Sequence, residues 1–381
     1  MRRNTVLKVA FGFVAGLCLT AGLVHIYAAA HPAPLTLAAA ELTSGKVQLK
    51  SAGPLAFGPD GILFVGDSLG ASIVALDTGD RTAAGASPKF DVRGVNAKVA
   101  SLLGTSADQI MINDVKVNPI SKNAYLSVAR GRGPDAAAVI VRVDGAGQMT
   151  ALALDNVKHS SVSLVDAPPA NAPSTGFGGS PRVQTITDMA FVNGNVIVAG
   201  LSNEEWSSAL RSIPFPFGQV AKGATVQIWH ASHGDFETEA PVRTFVPYTI
   251  QGQQYILAAY TCTPLVKIPV SDLKPGAQVK GTTIADLGAG NRPIDMVPYQ
   301  KGGHNFILIA NSSNGIQKLA ADNLETYKPI TSPTVMDVGG VPFQKIDQLT
   351  GVMHLTRLDD ANAVIIQGSG SNLDLRAIAL P

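Results

Sequence analysis

The sequence has little charge and almost no cysteine, and each shortage excludes a class of protein. Charged residues make up 15% of the 381 residues, against roughly 25% in an average soluble domain. Together with a formal net charge of only +1, this excludes a disordered acidic or basic chain and a nucleic-acid-binding tail. The chain has two cysteines, Cys18 and Cys262, which are too few for a disulfide scaffold or a zinc ribbon.

Long hydrophobic runs are also scarce, since only residues 9–30 are apolar over a length that can cross a bilayer. This run follows Arg2, Arg3 and Lys8 and ends in Ala28, Ala29 and Ala30, the pattern of a cleavable signal peptide. We therefore interpret residues 1–30 as a signal peptide and expect an exported protein, either periplasmic or secreted.

The end of the signal leaves two alternatives open. Residues 38–40 form a second small-residue cleavage site, so that residues 31–44 are expected to be a flexible mature N-terminus. If cleavage does not occur, residues 9–30 are a single-span anchor and the only contact with a membrane. Without residues 1–30, the chain carries 26 basic and 28 acidic residues. A nearly neutral body is not expected to bind nucleic acid.

A short hairpin recurs through the rest of the chain and predicts an all-β fold. Each copy has two apolar strands around a tight turn such as Asp60-Gly61 or Asn193-Gly194. The six copies span residues 57–66, 115–129, 191–200, 247–260, 296–311 and 352–368. After the hairpins we expect third strands at residues 72–77, 138–144, 225–230, 265–270, 316–320 and 373–380.

Six such units predict a six-bladed β-propeller with four-stranded blades, formed by residues 45–381 as one domain. Seven blades result if residues 156–186 contain a degenerate hairpin. The last unit has only three strands, and we expect an N-terminal strand at residues 46–50 to complete it and close the ring.

The first unit resembles a known repeat. Its residues 54–68, PLAFGPDGILFVGDS, and 72–77, SIVALD, are similar to an NHL-type repeat of the six-bladed propeller superfamily that includes SMP-30-like lactonases. The resemblance implies the propeller fold. It also implies, as one alternative, a metal-dependent hydrolase in which a divalent cation activates water.

Three aspartates predict a metal site on the propeller axis. Asp114, Asp188 and Asp295 each stand at the start of a predicted first strand and precede an apolar residue. Because first strands line the axis of a propeller, their carboxylates are expected to converge and to suit Ca²⁺ or Mg²⁺. The competing interpretation is that each carboxylate accepts hydrogen bonds from nearby backbone N–H groups.

Other polar side chains follow the second strands on the same face, and we predict that they bind a ligand at the axial mouth. These candidates are Asp67, Arg130, Asn203, Trp206, Cys262 and Asn311. Two insertions, at residues 156–182 and 203–223, are expected to cap this mouth. The second is expected to form a short helix over residues 203–211 and an apolar lid from Trp206, Phe215 and Phe217.

Three hypotheses of function remain open at this stage. The first is a propeller that binds a small molecule or a divalent cation at its axial mouth. The second is a lactonase-like hydrolase, and the third is a scaffold for a partner protein that has no small-molecule site.

Overall fold

A computed structural model describes residues 42–133, 135–174, 179–262, 264–334 and 338–381. The predicted signal peptide and most of the flexible segment after it lie outside these residues. The described part contains 28 β-strands and one α-helix, α1 (Val95–Leu103). No helix within it combines the length and the apolar character needed to span a membrane.

The strands are short and follow one another closely. In chain order the first fifteen are β1 (Thr43–Gly45), β2 (Leu55–Phe57), β3 (Ile62–Asp67), β4 (Ser72–Asp77), β5 (Asp91–Val92), β6 (Ile110–Val117), β7 (Ala124–Arg130), β8 (Ala137–Val143), β9 (Met149–Ala151), β10 (Val157–Ser163), β11 (Asp188–Val192), β12 (Asn195–Leu201), β13 (Ser208–Pro214), β14 (Ala224–His230) and β15 (Asp235–Glu237). The others are β16 (Thr244–Ile250), β17 (Gln253–Ala259), β18 (Pro264–Pro269), β19 (Gln278–Lys280), β20 (Thr282–Leu287), β21 (Pro293–Lys301), β22 (His304–Asn311), β23 (Gly315–Ala320), β24 (Val338–Gly340), β25 (Phe343–Ile346), β26 (Val352–Arg357), β27 (Asn362–Ser369) and β28 (Asn372–Ala379).

These strands form six small sheets, which are the blades of a propeller. Each blade has four main strands, and short additional strands extend blades 1, 3 and 4. From the axis outward, the orders are β2-β3-β4-β10-β1 in blade 1, β6-β7-β8-β9 in blade 2, β11-β12-β13-β14-β15 in blade 3, β16-β17-β18-β20-β24 in blade 4, β21-β22-β23-β25 in blade 5 and β26-β27-β28-β5 in blade 6. Strand β19 pairs with β14 in parallel at the rim of blade 3.

The blades close into a ring whose order differs from the order of the chain. The innermost strands contact one another in the cycle β2, β11, β16, β21, β26, β6 and back to β2. Blade 2 therefore lies between blades 1 and 6. Six hydrophobic clusters, one between each pair of neighbouring blades, hold the ring together. The prediction of a six-bladed all-β propeller is confirmed.

The predicted seventh blade is absent from the described residues, and the predicted closing strand is wrong. Residues 157–163 form β10, the fourth strand of blade 1. The fourth strand of blade 6 is β5, which pairs with β28 through Val92–Leu375 and Asp91–Arg376. The N-terminal strand β1 instead extends blade 1 by pairing with β10. The reason is physical: a two-residue strand has no periodicity, so its sequence does not reveal which sheet edge it joins.

Helix α1 holds this closing strand in place. The helix packs on β28. Its Asn96 side chain donates to the carbonyl of Ser371 and accepts from the N–H of Leu373 at 3.1 Å. Ahead of the helix, the N–H of Gly94 donates to the Asp374 carboxylate at 2.8 Å.

The predicted helix at residues 203–211 is also wrong. Residues 208–214 form β13, the third strand of blade 3, and the segment predicted as its third strand belongs to the fourth, β14. Arg211 explains the error, because a basic residue in this stretch suggests a solvated surface. Its guanidinium is instead completely buried, with Nε 2.7 Å from Asp166 and Nη2 2.8 Å from the carbonyl of Leu201.

Candidate functional site

The three aspartates predicted to lie on the axis are there, and each connects two blades. All three are buried. An Oδ2 atom of each accepts a hydrogen bond from the first strand of the neighbouring blade. The donors to Asp114, Asp188 and Asp295 are the backbone N–H groups of Leu55, Phe245 and Leu355, at 2.8, 2.8 and 3.0 Å. Such a hydrogen bond connects every second pair of neighbouring blades in the ring, namely blades 2 and 1, 3 and 4, and 5 and 6. This agrees with the interpretation that each carboxylate accepts hydrogen bonds from backbone N–H groups.

Sequence reasoning missed Lys116, which provides a cation of this axial cluster. Its Nζ lies 3.1 Å from Asp114 Oδ1 and 3.2 Å from Asp295 Oδ1. Lys116 stands two residues after Asp114 in β6, so both side chains point to the axis. This spacing of two residues is the feature of the sequence from which Lys116 could have been identified as an axial residue. Burial opposes the charge on Lys116, but the carboxylates of Asp114, Asp295 and Asp188 outweigh it and raise the pKa of the ammonium.

His354 completes the axial cluster from blade 6. Its Nδ1 is 3.2 Å from Asp295 Oδ2, and its Nε2 is 3.3 Å from the carbonyl oxygen of Ile112. Both partners are acceptors, so both ring nitrogens donate only when the ring is a cation. Burial opposes this charge, but the hydrogen bond and negative charge of Asp295 raise the pKa of His354.

The local backbone explains how these side chains reach the axis. Strands β6, β21 and β26 each shift register immediately before Asp114, Asp295 and His354, respectively. A bulge of this kind turns the following side chain away from the regular alternation of the strand. The same irregularity in three blades therefore directs three polar side chains to one point.

The protonation of the cluster differs between its carboxylates. Burial raises the pKa of Asp188 to about 7, and the negative charges of Asp114 and Asp295 act in the same direction. Burial raises the pKa of Asp114 as well. For Asp295, the charges of Lys116 and His354 outweigh burial and lower the pKa. Three carboxylates thus share two cations, and Asp188 is the one placed to hold a proton near neutral pH.

A cavity of about 520 Å³ opens above this cluster. The residues at the starts of the innermost strands of all six blades form its wall, which is the axial mouth that the sequence predicted. Its polar lining residues are Ser51, Ser68, Asn113, Gln184, Thr187, Arg243, Arg292 and His354. The Oε1 atom of Gln184 is buried without a hydrogen-bond partner in the described part of the chain.

Two arginines give this mouth a positive charge. Arg243 is partly buried and donates from Nε to Thr261 Oγ1 at 2.9 Å, and Arg292 is exposed. Burial and the charge of Arg292 both lower the pKa of Arg243. Among the residues that the structure describes, no carboxylate lies within 4.0 Å of either guanidinium. Arg243 and Arg292 each stand immediately before the first strand of their blade, β16 and β21, whereas the three aspartates lie within first strands.

The six predicted ligand-binding residues do not come together in the wall of this cavity. Asp67 is buried and accepts hydrogen bonds from the N–H groups of Lys50, Ser51 and Gly70, so that it shapes the loop carrying Ser51. Arg130 and Asn203 are exposed. Trp206 lies half-buried in the loop between β12 and β13.

The remaining two candidates lie in different places. Asn311 donates to Gln317 Oε1 at 3.1 Å within blade 5. Cys262 lies beside His230 and His233, where blade 3 approaches blade 4.

The predicted aromatic lid is wrong for Phe215 and Phe217. Because β13 runs away from the axial mouth, it carries these rings to the far end of the blade, where the N–H of Phe215 donates to the carbonyl of Gly194. Phe215 packs edge-on against Phe64, with ring centroids 4.9 Å apart, in the cluster between blades 1 and 3. The first insertion, residues 156–182, contributes none of its described residues to the cavity wall; the two residues that follow it, Val183 and Gln184, line the cavity.

Comparisons with known proteins add little beyond the architecture. No family model matches the chain, and none of the curated proteins matches it. Among solved structures, a glucose dehydrogenase is 13% identical, covers 89% of this chain and 100% of its own, and has a TM-score of 0.37. The PQQ-bound aldose sugar dehydrogenase from Streptomyces coelicolor is 13% identical, with coverages of 88% and 97% and a TM-score of 0.32.

Likenesses at this level carry no argument about activity. The β-propeller itself is established by the strand pairing in six sheets. Membership among NHL-type or SMP-30-like proteins stays a prediction.

Proposed function

We propose that this protein binds a small organic anion, a carboxylate or a phosphate ester, in its axial mouth. The observation that carries the proposal is the set of cations from three consecutive blades, Arg243, Arg292 and His354, around one cavity. Its volume, about 520 Å³, is in the usual range for small-molecule sites.

The electrostatics of the mouth favour an anion. Two guanidinium groups that line one cavity gain from a shared counterion, and each can donate two parallel hydrogen bonds to a carboxylate or phosphate. The carboxylates of Asp114 and Asp295 beneath the mouth repel a bound anion only weakly, because Lys116 and His354 already pair with them.

Calorimetric titration with citrate and with inorganic phosphate tests this function. We expect Arg243→Gln and Arg292→Gln each to weaken binding by about tenfold or more, since a hydrogen bond to a charged group contributes roughly 1.5–3 kcal/mol. Arg93→Gln is the matched control, because its side chain is 82% exposed on blade 6 away from the cavity wall. Equal affinities in all four proteins would remove the mouth as the anion site.

A divalent cation on the axis, as the sequence predicted, stays a separate proposal. Ligand atoms of Asp114, Asp295 and His354 lie within 4.8 Å of one another, but Lys116 Nζ contacts both carboxylates. Ca²⁺ or Mg²⁺ at this point has to displace that ammonium. Elemental analysis of the purified protein, with Asp188→Ala plus Asp295→Ala as the comparison, tests for such an ion and for the hydrolase that would depend on it.

We also propose that the protein acts after export, on the strength of the predicted signal peptide. The mass of the mature protein measures cleavage directly. Loss of residues 1–30 or 1–40 supports export, and an intact N-terminus on a membrane fraction supports the anchor.

A further inference from the structure

A second group of possible metal ligands lies outside the axial mouth, where blade 3 approaches blade 4. His230 ends β14, His233 lies in the turn before β15, and Cys262 follows β17. One ring nitrogen of each histidine and the sulfur of Cys262 all lie within 4.8 Å of one another. The two imidazole rings are also close, with centroids 4.0 Å apart.

One carboxylate orients both histidines. Glu237 Oε2 lies 2.6 Å from Nδ1 of His230, and Glu237 Oε1 hydrogen-bonds Nδ1 of His233. A carboxylate on Nδ1 fixes the proton there and leaves the lone pair on Nε2, which is the arrangement behind many metal-ligating histidines. Both rings are therefore held in the tautomer that binds a metal through Nε2.

The Nε2 atom of His230 has no hydrogen-bond partner among the described residues. His230 is only 2% exposed, and its Nε2 is buried without a hydrogen-bond partner in the described residues. Buried polar atoms nearly always have a partner, and a bound ion is one of the ways in which an exception of this kind is satisfied. A bound metal ion supplies the missing partner.

The backbone fixes the sulfur beside the rings. Cys262 has φ = 60°, in the left-handed region that non-glycine residues seldom adopt, and its N–H donates to the carbonyl of Asn291 at 2.7 Å. Strained backbone of this type is concentrated at functional sites. The side chain of His233 is 53% exposed, so an ion can reach the group from solvent.

We propose that His230, His233 and Cys262 bind a thiophilic transition-metal ion, Zn²⁺ or Cu⁺, with a fourth coordination position open to solvent. Two imidazoles and one thiolate suit these ions, whereas Ca²⁺ and Mg²⁺ require oxygen ligands. Binding converts the thiol of Cys262 to a thiolate and releases its proton to solvent. This site is independent of the anion proposed for the axial mouth.

Cobalt(II) is the probe for the test, because it replaces zinc and reports bound sulfur by a charge-transfer band. The full chain carrying Cys18→Ser is titrated with Co²⁺, so that Cys262 is its only thiol. We expect one equivalent to bind and to produce the band, and Zn²⁺ to abolish it. Titration with Cu⁺ against a competing chelator shows whether copper binds more tightly.

Variants separate this site from incidental binding. We expect Cys262→Ser to remove the charge-transfer band and His230→Gln to weaken Co²⁺ binding at least tenfold. His304→Gln is the matched control, because it removes another histidine that pairs with a carboxylate, Asp322, at an exposed position. This variant is expected to bind Co²⁺ unchanged.

Two results would overturn the proposal. One is the absence of the band in the Cys18→Ser chain, together with a Cys262 thiol that a thiol reagent modifies equally fast with and without Zn²⁺ or Cu⁺. The other is a band that persists unchanged in His230→Gln. The reagent test needs no substitution in the cluster, and far-ultraviolet circular dichroism shows whether each variant retains its fold.

Discussion

Two groups of side chains in the described part of the chain have ligand atoms close enough to hold a metal, yet their surroundings are opposite. In the axial group, Asp114, Asp295 and His354, the carboxylates already accept backbone N–H groups and the ammonium of Lys116. In the peripheral group, His230, His233 and Cys262, a buried ring nitrogen has no partner in the described residues. In both groups the ligand atoms lie close together, so proximity alone does not distinguish them. The difference is that the peripheral group has a lone pair without a hydrogen-bond partner, whereas the axial group forms a structural network of ion pairs.

The largest effect is expected from removing the cation of the axial group. Lys116→Ala leaves three buried carboxylates with one cation, His354, and we expect the free energy of unfolding to fall by roughly 3–5 kcal/mol. The vacated space would then suit Ca²⁺, which should raise the melting temperature of the variant but not of the unmodified protein. Thermal unfolding with and without Ca²⁺ measures both.

Lys345→Ala, an exposed lysine on β25, is the control for that experiment. Should Lys116→Ala unfold at the same temperature as this control, the axial group would not depend on its internal cation. Stabilisation of the unmodified protein by Ca²⁺ would also contradict the comparison, because it would mean that the axial group binds a metal ion while Lys116 is present.

The pH dependence of stability sharpens the contrast further. Asp188 has a pKa of about 7 in the fold and about 3.9 in an unfolded chain, so the folded state holds its proton more tightly. The free energy of unfolding should therefore fall as pH rises from 5 to 7, by roughly 2–3 kcal/mol at 1.36 kcal/mol per unit. His354 acts in the same direction, because its raised pKa stabilises the fold at low pH and this contribution is lost as pH rises.

Urea unfolding at pH 5, 6, 7 and 8 measures this slope. In Asp188→Asn the amide oxygen still accepts from Phe245 and Thr244, but no proton is exchanged, so the profile should be flatter. An identical slope in both proteins would show that Asp188 does not titrate in this range.

The smallest effect is expected at the peripheral group, from the residue that orients its rings. Glu237→Gln retains an acceptor for only one histidine, and we expect Co²⁺ affinity to fall 10- to 100-fold, the usual cost of losing a carboxylate behind a metal-ligating histidine. Asp322→Asn, beside His304, changes a similar carboxylate elsewhere and should leave the affinity unchanged. Equal loss in both variants would mean that Glu237 has no orienting role.

The architecture was predictable because its cause is local. Alternating apolar residues and turn residues such as Asp60-Gly61 specify each hairpin, and six hairpins that each bury two faces require a ring. The order of blades was not predictable, because β5 and β10 have no pattern that selects one sheet edge over another. Arg211 misled the interpretation of β13, since a buried ion pair depends on Asp166, which lies 45 residues earlier.

The axial site was partly predictable for the same reason. Repeated starts of first strands place Asp114, Asp188 and Asp295 together. Arg243 and Arg292 each stand four residues before the first strand predicted for their blade, so this rule did not include them. The peripheral group had no such signal. Its histidines and its cysteine come from two blades and from turns whose geometry is set by contacts between those blades.

The pairing of β5 with β28 has a consequence for how the protein is made. These two strands are separated by about 280 residues, and β28 lies within the last ten residues of the chain. On the ribosome, β5 and the face of α1 that packs on β28 remain without this partner until β28 has been synthesised. The ring can be completed only then, so a nascent chain that stops before β28 is expected to retain an unpaired strand edge and to be a substrate for chaperones and proteases.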